Sequence, residues 1–414
     1  MHLPEPLQAL LTNIHSAGGR GWLVGGSVRD HLLGRQPKDL DVEVHGLDAG
    51  ALQAILSPLG RVKAVGRSFG VFKLRIGRDE YDVSLPQPGR ARTAQGEPVV
   101  IAGDPHMGIT EALRRRDLTI NAIAYDPLNG EYADPFGGRA DLSRGLLRAV
   151  DDETFSDDPL RVLRVMQFAG RFGFSADPGL AALCRSLPIG DLPAERLLTE
   201  FEKLLLKSPR PSAGLVAARA ADIFGRLLPA LAAADGPELA AALDRAATLR
   251  RQHAPPLALM FSTLLHRCTV AEATAVLDRL KVFTQGGYPL RKRIVHAVGA
   301  WQQLAAPIED VGLRWLAEGG EVALVARVAW AATGAQVALD GLERAGGLGI
   351  AQRPLPPLIK GRDLGEEGIP PGPWMGALLR GVRAAQLDGN ICDKAGAIEL
   401  AMRLWREQSN GGAG

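Results

Sequence analysis

The chain has 414 residues, 46% hydrophobic and 23% charged, the composition of a globular protein of two to four domains at about 100–200 residues each. Forty-eight basic and 46 acidic residues leave a net charge of +2, which excludes a large polybasic tail but not a basic face balanced by acids elsewhere. Three widely spaced cysteines argue against a disulfide or zinc framework, and no leader and no run near the ~20 apolar residues of a membrane span is found, so a reducing cytoplasm is expected.

In chain order, residues 5–18 suit an amphipathic helix, Gly21 to Val24 a short buried strand, Gly25-Gly26 a turn, and 27–34 a helix of about two turns. From Asp39 to Val44 acidic and apolar residues alternate, the period of a strand with one functional face. Two further strands are predicted at 71–76 and 81–85. Residues 86–110, with scattered Pro, Gly, Arg and Gln, read as a long mobile loop of the kind that is often functional. Beyond about 150 strand patterns stop. Apolar-periodic helical segments follow, with Pro or Gly breaks near 187–193, 209–213, 229–237, 254–256, 285–289 and 351–357, the last a domain boundary.

Asp39-Leu40-Asp41 carries the chemistry. On a strand, residues two apart share a face about 6.5–7 Å apart, so both carboxylates would project together while Leu40 and Val42 face the core. Paired carboxylates repel unless a hard cation lies between them, and Mg²⁺ prefers oxygen ligands completed by water and substrate phosphates. Upstream, Gly25-Gly26-Ser27 opens a helix whose N-terminus favours phosphate, and Arg29 in its first turn can add a bidentate contact. A phosphate cradle followed by paired acids is the arrangement nucleotidyl transfer requires. Asp82, on a neighbouring strand, is either a third carboxylate of this site or an ordinary surface aspartate.

These residues also resemble a family. Gly25 to Gly34 with Pro37-Lys38-Asp39-Leu40-Asp41 is similar to the first motif of class II tRNA nucleotidyltransferases, the CCA-adding enzymes, whose superfamily includes bacterial poly(A) polymerases. Arg115 to Ala122 resembles the second motif, and Asp134 to Gly138 with Asp141-Leu142 the third. Asp158 to Arg164, running on to Phe174, resembles the fourth, and Glu195 to Leu198 with Glu202 to Leu205 the fifth, a helical structural motif. Five motifs in order span about residues 20–207.

The resemblance implies an α+β fold: a polymerase-β-like nucleotidyltransferase head with a mixed sheet, then an elongated all-α neck, body and tail. The implied divisions are 1–145 for the catalytic head, 146–225 for the neck with nucleobase recognition, 226–350 for the body and 351–414 for a tRNA-binding tail. It implies Asp39 and Asp41 as catalytic carboxylates holding two Mg²⁺ ions, with Gly26, Ser27 and Arg29 at the triphosphate. Arg115 or Arg116, with a slight preference for Arg115, would reach phosphate or sugar. Asp117 and Asn121, spaced to share a helical face, would serve ribose recognition. Asp158, Arg161, Arg164, Gln167 and Arg171 fall at helical spacing in one polar stripe. The stripe alone reads as an ion-paired face; the resemblance implies that Asp158 and Arg161 read the Watson–Crick edges of C and A, both of which carry an amino group there. Two departures stand out: Asp157 replaces the usual Glu, and Gln167 a frequent Arg.

The implied activity is template-independent addition of CMP and AMP to the tRNA 3′ end from CTP and ATP, with pyrophosphate released. Alternatives are a poly(A) polymerase, an enzyme adding only CC or only A, and a non-catalytic RNA-binding protein; the length of 86–110 favours full CCA addition. Residues 258–268 resemble the place where longer relatives carry a His-Asp phosphohydrolase signature, but Arg267 follows His266, so a helical relic is expected. The segment from Ile359 to Gly389 resembles the part of such relatives that grips the tRNA elbow. Of the 48 basic residues 39 are arginine, most of which need no function beyond composition. Cys184, Cys268 and Cys392 are read as structural, with no disulfide partner.

Overall fold

The computed structural model describes residues 3–37, 39–64, 70–87, 91–92, 98–99 and 103–411. Two compact units divide the chain: Met1–Leu204 with Ala213–Leu227, and Leu205–Ser212 with Leu228–Gly414.

The first unit opens with helix α1 (Glu5–Ser16), whose Leu7, Leu10, Leu11 and Ile14 recur at three- and four-residue spacing and are all fully buried. Then come β1 (Arg20–Val24), α2 (Gly26–Leu32), β2 (Asp41–His45), α3 (Ala49–Leu56), β3 (Arg61–Ala64), β4 (Val71–Ile76) and β5 (Asp79–Ser84). Asp48 caps α3 by accepting from Ala51 N–H at 2.8 Å. Two-residue strands β6 (Ala91–Arg92) and β7 (Pro98–Val99) pair with each other, and α4 (Ile109–Arg114) follows. A 3₁₀ turn at Thr119–Asn121 leads to β8 (Ala124–Asp126), β9 (Glu131–Ala133) and α5 (Gly138–Arg144). The unit continues through β10 (Leu146–Leu147), α6 (Asp152–Ser156), α7 (Arg161–Phe172), β11 (Ser175–Ala176), α8 (Pro178–Ser186) and α9 (Ala194–Lys207).

Seven strands form one mixed sheet in the order β3-β4-β5-β2-β1-β8-β9. Every neighbouring pair is antiparallel except β2 and β5, which run parallel with Asp41 opposite Asp82. This is the α+β head expected, with several differences. β2 begins at Asp41, so Asp39 and Leu40 lie in a bend before it. The reason is pairing: β1 meets β2 only from Arg20 opposite His45 to Leu23 opposite Val42, and then turns away at the glycines. Of the expected 86–110 loop, 88–90, 93–97 and 100–102 lie outside the described residues, as does Lys38; the remainder includes the β6–β7 pair and the start of α4. Strand pairing also persists past 150, since β10 and β11 pair in parallel.

The second unit is helical; the breaks at 285–289 and 351–357 fall between helices, and the one at 254–256 ends on the first residue of a helix. The 229–237 break instead contains a helix, Pro229–Ala234, because proline at a first helical position starts a turn rather than ending one. The helix Pro256–Leu265 has every residue from Leu257 on buried. Toward the C-terminus Ile359, Leu364, Leu378, Val382 and Ala401 close a separate small core. No helix among the described residues is long and apolar enough to cross a membrane.

Candidate active site

The glycine turn closes β1 with an unusual backbone. Gly25 adopts φ 66° and ψ −124°, a conformation only glycine tolerates, and the chain enters α2 directly after it. Ser27, 2% exposed, spends its hydroxyl on Val24 O at 2.9 Å. Arg29 is also buried. Its guanidinium donates to Asn121 Oδ1 at 2.5 Å and to Asp30 Oδ1 at 2.7 Å, and lies 4.7 Å from the Phe172 ring centre. Burial pulls its pKa below the usual arginine range. Arg29 therefore ties α2 to the second motif and to α7, and a Cβ on Gly26 would lie 3.5 Å from its Nη2.

Asp41 opens β2 half-buried, while Asp39 stands exposed in the bend. Burial pushes the Asp41 carboxyl above its usual range; Arg116 opposes this, and the like charges of Asp82 and Asp39 add to it. Asp82 is exposed on β5 and receives Lys73 Nζ at 3.1 Å. Among the described residues no three acidic, histidine or cysteine side chains converge into a ready cation cage. Two carboxylates, one of them penalised by burial and by like charge, nonetheless fit a hard divalent ion that completes its shell with water and phosphate.

The two arginines of the second motif part ways. Arg115 pairs with Glu111 on α4 at 3.0 Å. Arg116 turns inward instead: its Nη2 donates to Glu43 Oε2 at 3.2 Å, and a Cβ built on Gly25 would lie 3.0 Å from its Nη1. Arg116, not Arg115, thus borders both the glycine turn and Asp41. Sequence reading missed Glu43, although the alternation of Asp41, Glu43 and His45 along β2 is the signal that finds it.

Asp117 and Asn121 do meet, with Asn121 Nδ2 donating to Asp117 Oδ1 at 2.8 Å. No α-helix carries them, because α4 ends at Arg114 and Leu118 bridges to Ala149 before the 3₁₀ turn. Burial alone would raise Asp117, but Arg164 at 2.6 Å, Asn121 and the Leu118 N–H hold it below the usual carboxylate range. The third motif supports this turn: Asp141, fully buried, accepts from Thr119 Oγ1 at 2.7 Å and from Arg148. Gly138 packs so closely that a Cβ there would lie 2.1 Å from Thr119 O.

The fourth motif is only partly one helical stripe. Asp158 precedes α7, Arg161 begins it, and Gln167 is buried in it at 2% exposure with no hydrogen-bond partner for Nε2 among the described residues. Arg161 donates to the carbonyls of Thr154 at 2.7 Å and Arg115 at 2.8 Å. Asp158 accepts from Arg196 of the fifth motif at 2.6 Å. Arg171 reaches Asp30 at 3.3 Å. In the second unit His266 is buried, its Nδ1 lying 2.7 Å from Thr263 O, the environment of a core histidine. Cys184 and Cys268 are buried, Cys392 is exposed, and all three are free thiols.

Residues 21–148 match the family of the poly A polymerase head domain. Over 222 residues, 52% of this chain and 52% of the relative, the sequence is 38% identical to the multifunctional CCA protein of Xanthomonas campestris pv. campestris (strain B100). The chain spans about half the length of the curated relatives it matches. Its fold is similar to that of the Bacillus stearothermophilus CCA-adding enzyme solved with CTP, with a TM-score of 0.70 at 24% identity, covering 99% of this chain and 100% of that one. It is likewise similar to the Thermotoga maritima CCA-adding enzyme solved with tRNA, with a TM-score of 0.67 at 23% identity, covering 96% of this chain and 95% of that one.

Proposed function

We propose that the chain is a member of the superfamily of class II CCA-adding enzymes and poly(A) polymerases, and that it adds CMP and AMP to the 3′ end of tRNA without a template, using CTP and ATP. The observation that carries this reading is the meeting of acids and glycine turn. The β1–β2 register brings the turn beside Asp41, the β2–β5 register sets Asp82 opposite it, and Arg116 lies between turn and acid.

Asp39 and Asp41 are the residues that would hold two Mg²⁺ ions, with Asp82 the outer candidate; when bound, the ions lower the pKa of the attacking hydroxyl and neutralise the triphosphate. The tRNA 3′ oxygen bonds to the α-phosphorus as the bond to the bridging oxygen breaks. Pyrophosphate leaves, and the hydroxyl proton passes to solvent. The Gly25-Gly26 turn and Arg116 receive the phosphates. Asp117 and Asn121, braced by Arg164 and Arg29, recognise the ribose. Asp158 and Arg161 read the base by accepting from the exocyclic amino group and donating to the ring. In this reading residues 1–145 perform the chemistry, 146–225 select the nucleotide, 226–350 form the body, and the tail at 351–414 grips the tRNA elbow through shape and phosphates.

The test is product length. Purified protein is given tRNAs lacking all three, two or one of the terminal CCA nucleotides, with CTP, ATP or both. Full CCA addition extends each to the mature end and stops. A poly(A) polymerase runs past it, a split enzyme halts early, and a non-catalytic protein leaves all three unchanged; any of these overturns the proposal.

A further inference from the structure

Glu43 lies two residues beyond Asp41 on the same face of β2, yet it is 6% exposed and both of its oxygens are engaged. Oε2 accepts from Arg116 Nη2 at 3.2 Å, and Oε1 lies 3.2 Å from His45 Nε2. The other ring nitrogen of His45 lies 2.8 Å from Met107 O, so each ring nitrogen faces an acceptor. A carboxylate buried in this way, with each oxygen committed, is not free to ligate a cation, and its burial is offset only by the partners it keeps.

The consequence falls on Arg116. A long side chain on a loop would lose rotamer freedom in binding a ligand, and a fixed partner removes that cost beforehand. Glu43 holds one edge of the guanidinium. The opposite edge packs against Gly25, where any side chain would intrude on Nη1. The group thus stands between Asp41 and the glycine turn with part of its surface still open to solvent. We propose that Glu43, braced by His45, is a positioning residue that fixes Arg116 over the Gly25-Gly26 turn, so that the guanidinium meets the triphosphate of the incoming nucleotide. This rests on the nucleotidyl-transfer reading above.

The experiment measures CTP binding by calorimetry alongside kcat and KM for tRNA extension, with unfolding curves recorded for every variant. Glu43→Gln keeps the shape and removes the charge; CTP dissociation constant and KM are expected to rise about tenfold, with kcat changed less than about threefold. Glu43→Asp, which keeps the charge, is expected to remain within about threefold of wild type. If Glu43 acts through Arg116 alone, the double variant of Glu43→Gln with Arg116→Lys binds CTP no worse than Arg116→Lys by itself. His45→Asn, which loosens the carboxylate without removing it, carries the same expectation in smaller measure and serves if Glu43→Gln does not fold. Wild-type CTP affinity in a folded Glu43→Gln variant, or losses that simply add in the double variant, would overturn the inference while leaving the reading intact. A wild-type chain that neither binds CTP or ATP nor extends tRNA would overturn the reading, and the inference with it.

Discussion

Arg196 Nη2 donates to Asp158 Oδ2 across 2.6 Å, joining the first turn of α9 to the residue three places before α7. Asp158 is one half of the proposed base-reading pair, and its other half, Arg161, is turned toward two backbone carbonyls. The fifth motif therefore does more than build a helix: it holds the carboxylate to which the proposed function gives base selection.

Replacing Arg196 with Met should keep the packing of α9 while removing the hydrogen bond to Asp158 Oδ2. Discrimination of CTP and ATP against UTP and GTP is expected to fall about tenfold, on the order of 1.4 kcal/mol, with a smaller change in kcat for CTP. Competition between CTP and UTP on a tRNA lacking its CCA end measures this directly. Unaltered selectivity in the folded variant would assign the Arg196–Asp158 bond to stability alone.

Asp39→Ala and Asp41→Ala remove the proposed oxygen ligands but leave β2 paired through its backbone to β1 and β5. Nucleotide incorporation is expected to fall at least about a thousandfold, some 4 kcal/mol of transition-state stabilisation, while tRNA affinity by filter binding changes little. Asp82→Ala separates the two readings of that residue: a comparable loss makes it a third ligand, and near-normal turnover a surface partner of Lys73. Turnover at wild-type rate by either Asp39→Ala or Asp41→Ala would refute the metal assignment.

Gln167 presents a buried amide whose Nε2 finds no partner among the described residues, and an unmade hydrogen bond of that kind costs about 1–3 kcal/mol. Gln167→Met, similar in volume and without that donor, should raise the melting temperature of the free protein, by about 2–4 °C per kcal/mol for a unit of this size. If the amide waits for a nucleotide, CTP affinity falls in the same variant. A lower melting temperature would mean that Gln167 is satisfied in solution, by water or otherwise.

The parts of the site that lie close together along the chain were readable from spacing and motif. The glycine turn, the strand through Val42 and Val44 and the helix carrying Arg164 follow from local periodicity and turn chemistry, whereas the start of that strand at Asp41 rather than Asp39 does not. What periodicity cannot carry is pairing over long separations. Nothing in the spacing says that Arg29 donates a hydrogen bond to Asn121, 92 residues away, or that Arg116 reaches back 73 residues to Glu43. The alternation along β2 puts Glu43 on the face of Asp41, but not its burial, because a buried acid and an exposed one look alike in an alternating strand. Asp117 and Asn121 were joined for the wrong reason: a 3₁₀ turn brought together what an α-helix was expected to align.

His253, in the helical second unit, makes the stability of that unit depend on pH. It is 4% exposed; Arg327 Nη1 lies 3.4 Å from its Nδ1, while its Nε2 has no hydrogen-bond partner among the described residues and Glu321 Oε2 stands 3.8 Å off. Burial, with the Arg327 charge adding to it, lowers its pKa from 6.5 to about 4. The unfolded chain therefore takes up a proton near pH 6.5 that the folded chain refuses until about pH 4. The contribution is complete above the unfolded value and is lost as pH falls through this window, by about 3 kcal/mol at most. Urea unfolding followed from pH 7.5 to 4.5 should show the loss, and His253→Gln, which cannot titrate, should flatten it. An equally steep decline in the folded His253→Gln variant would place the acid sensitivity on other groups.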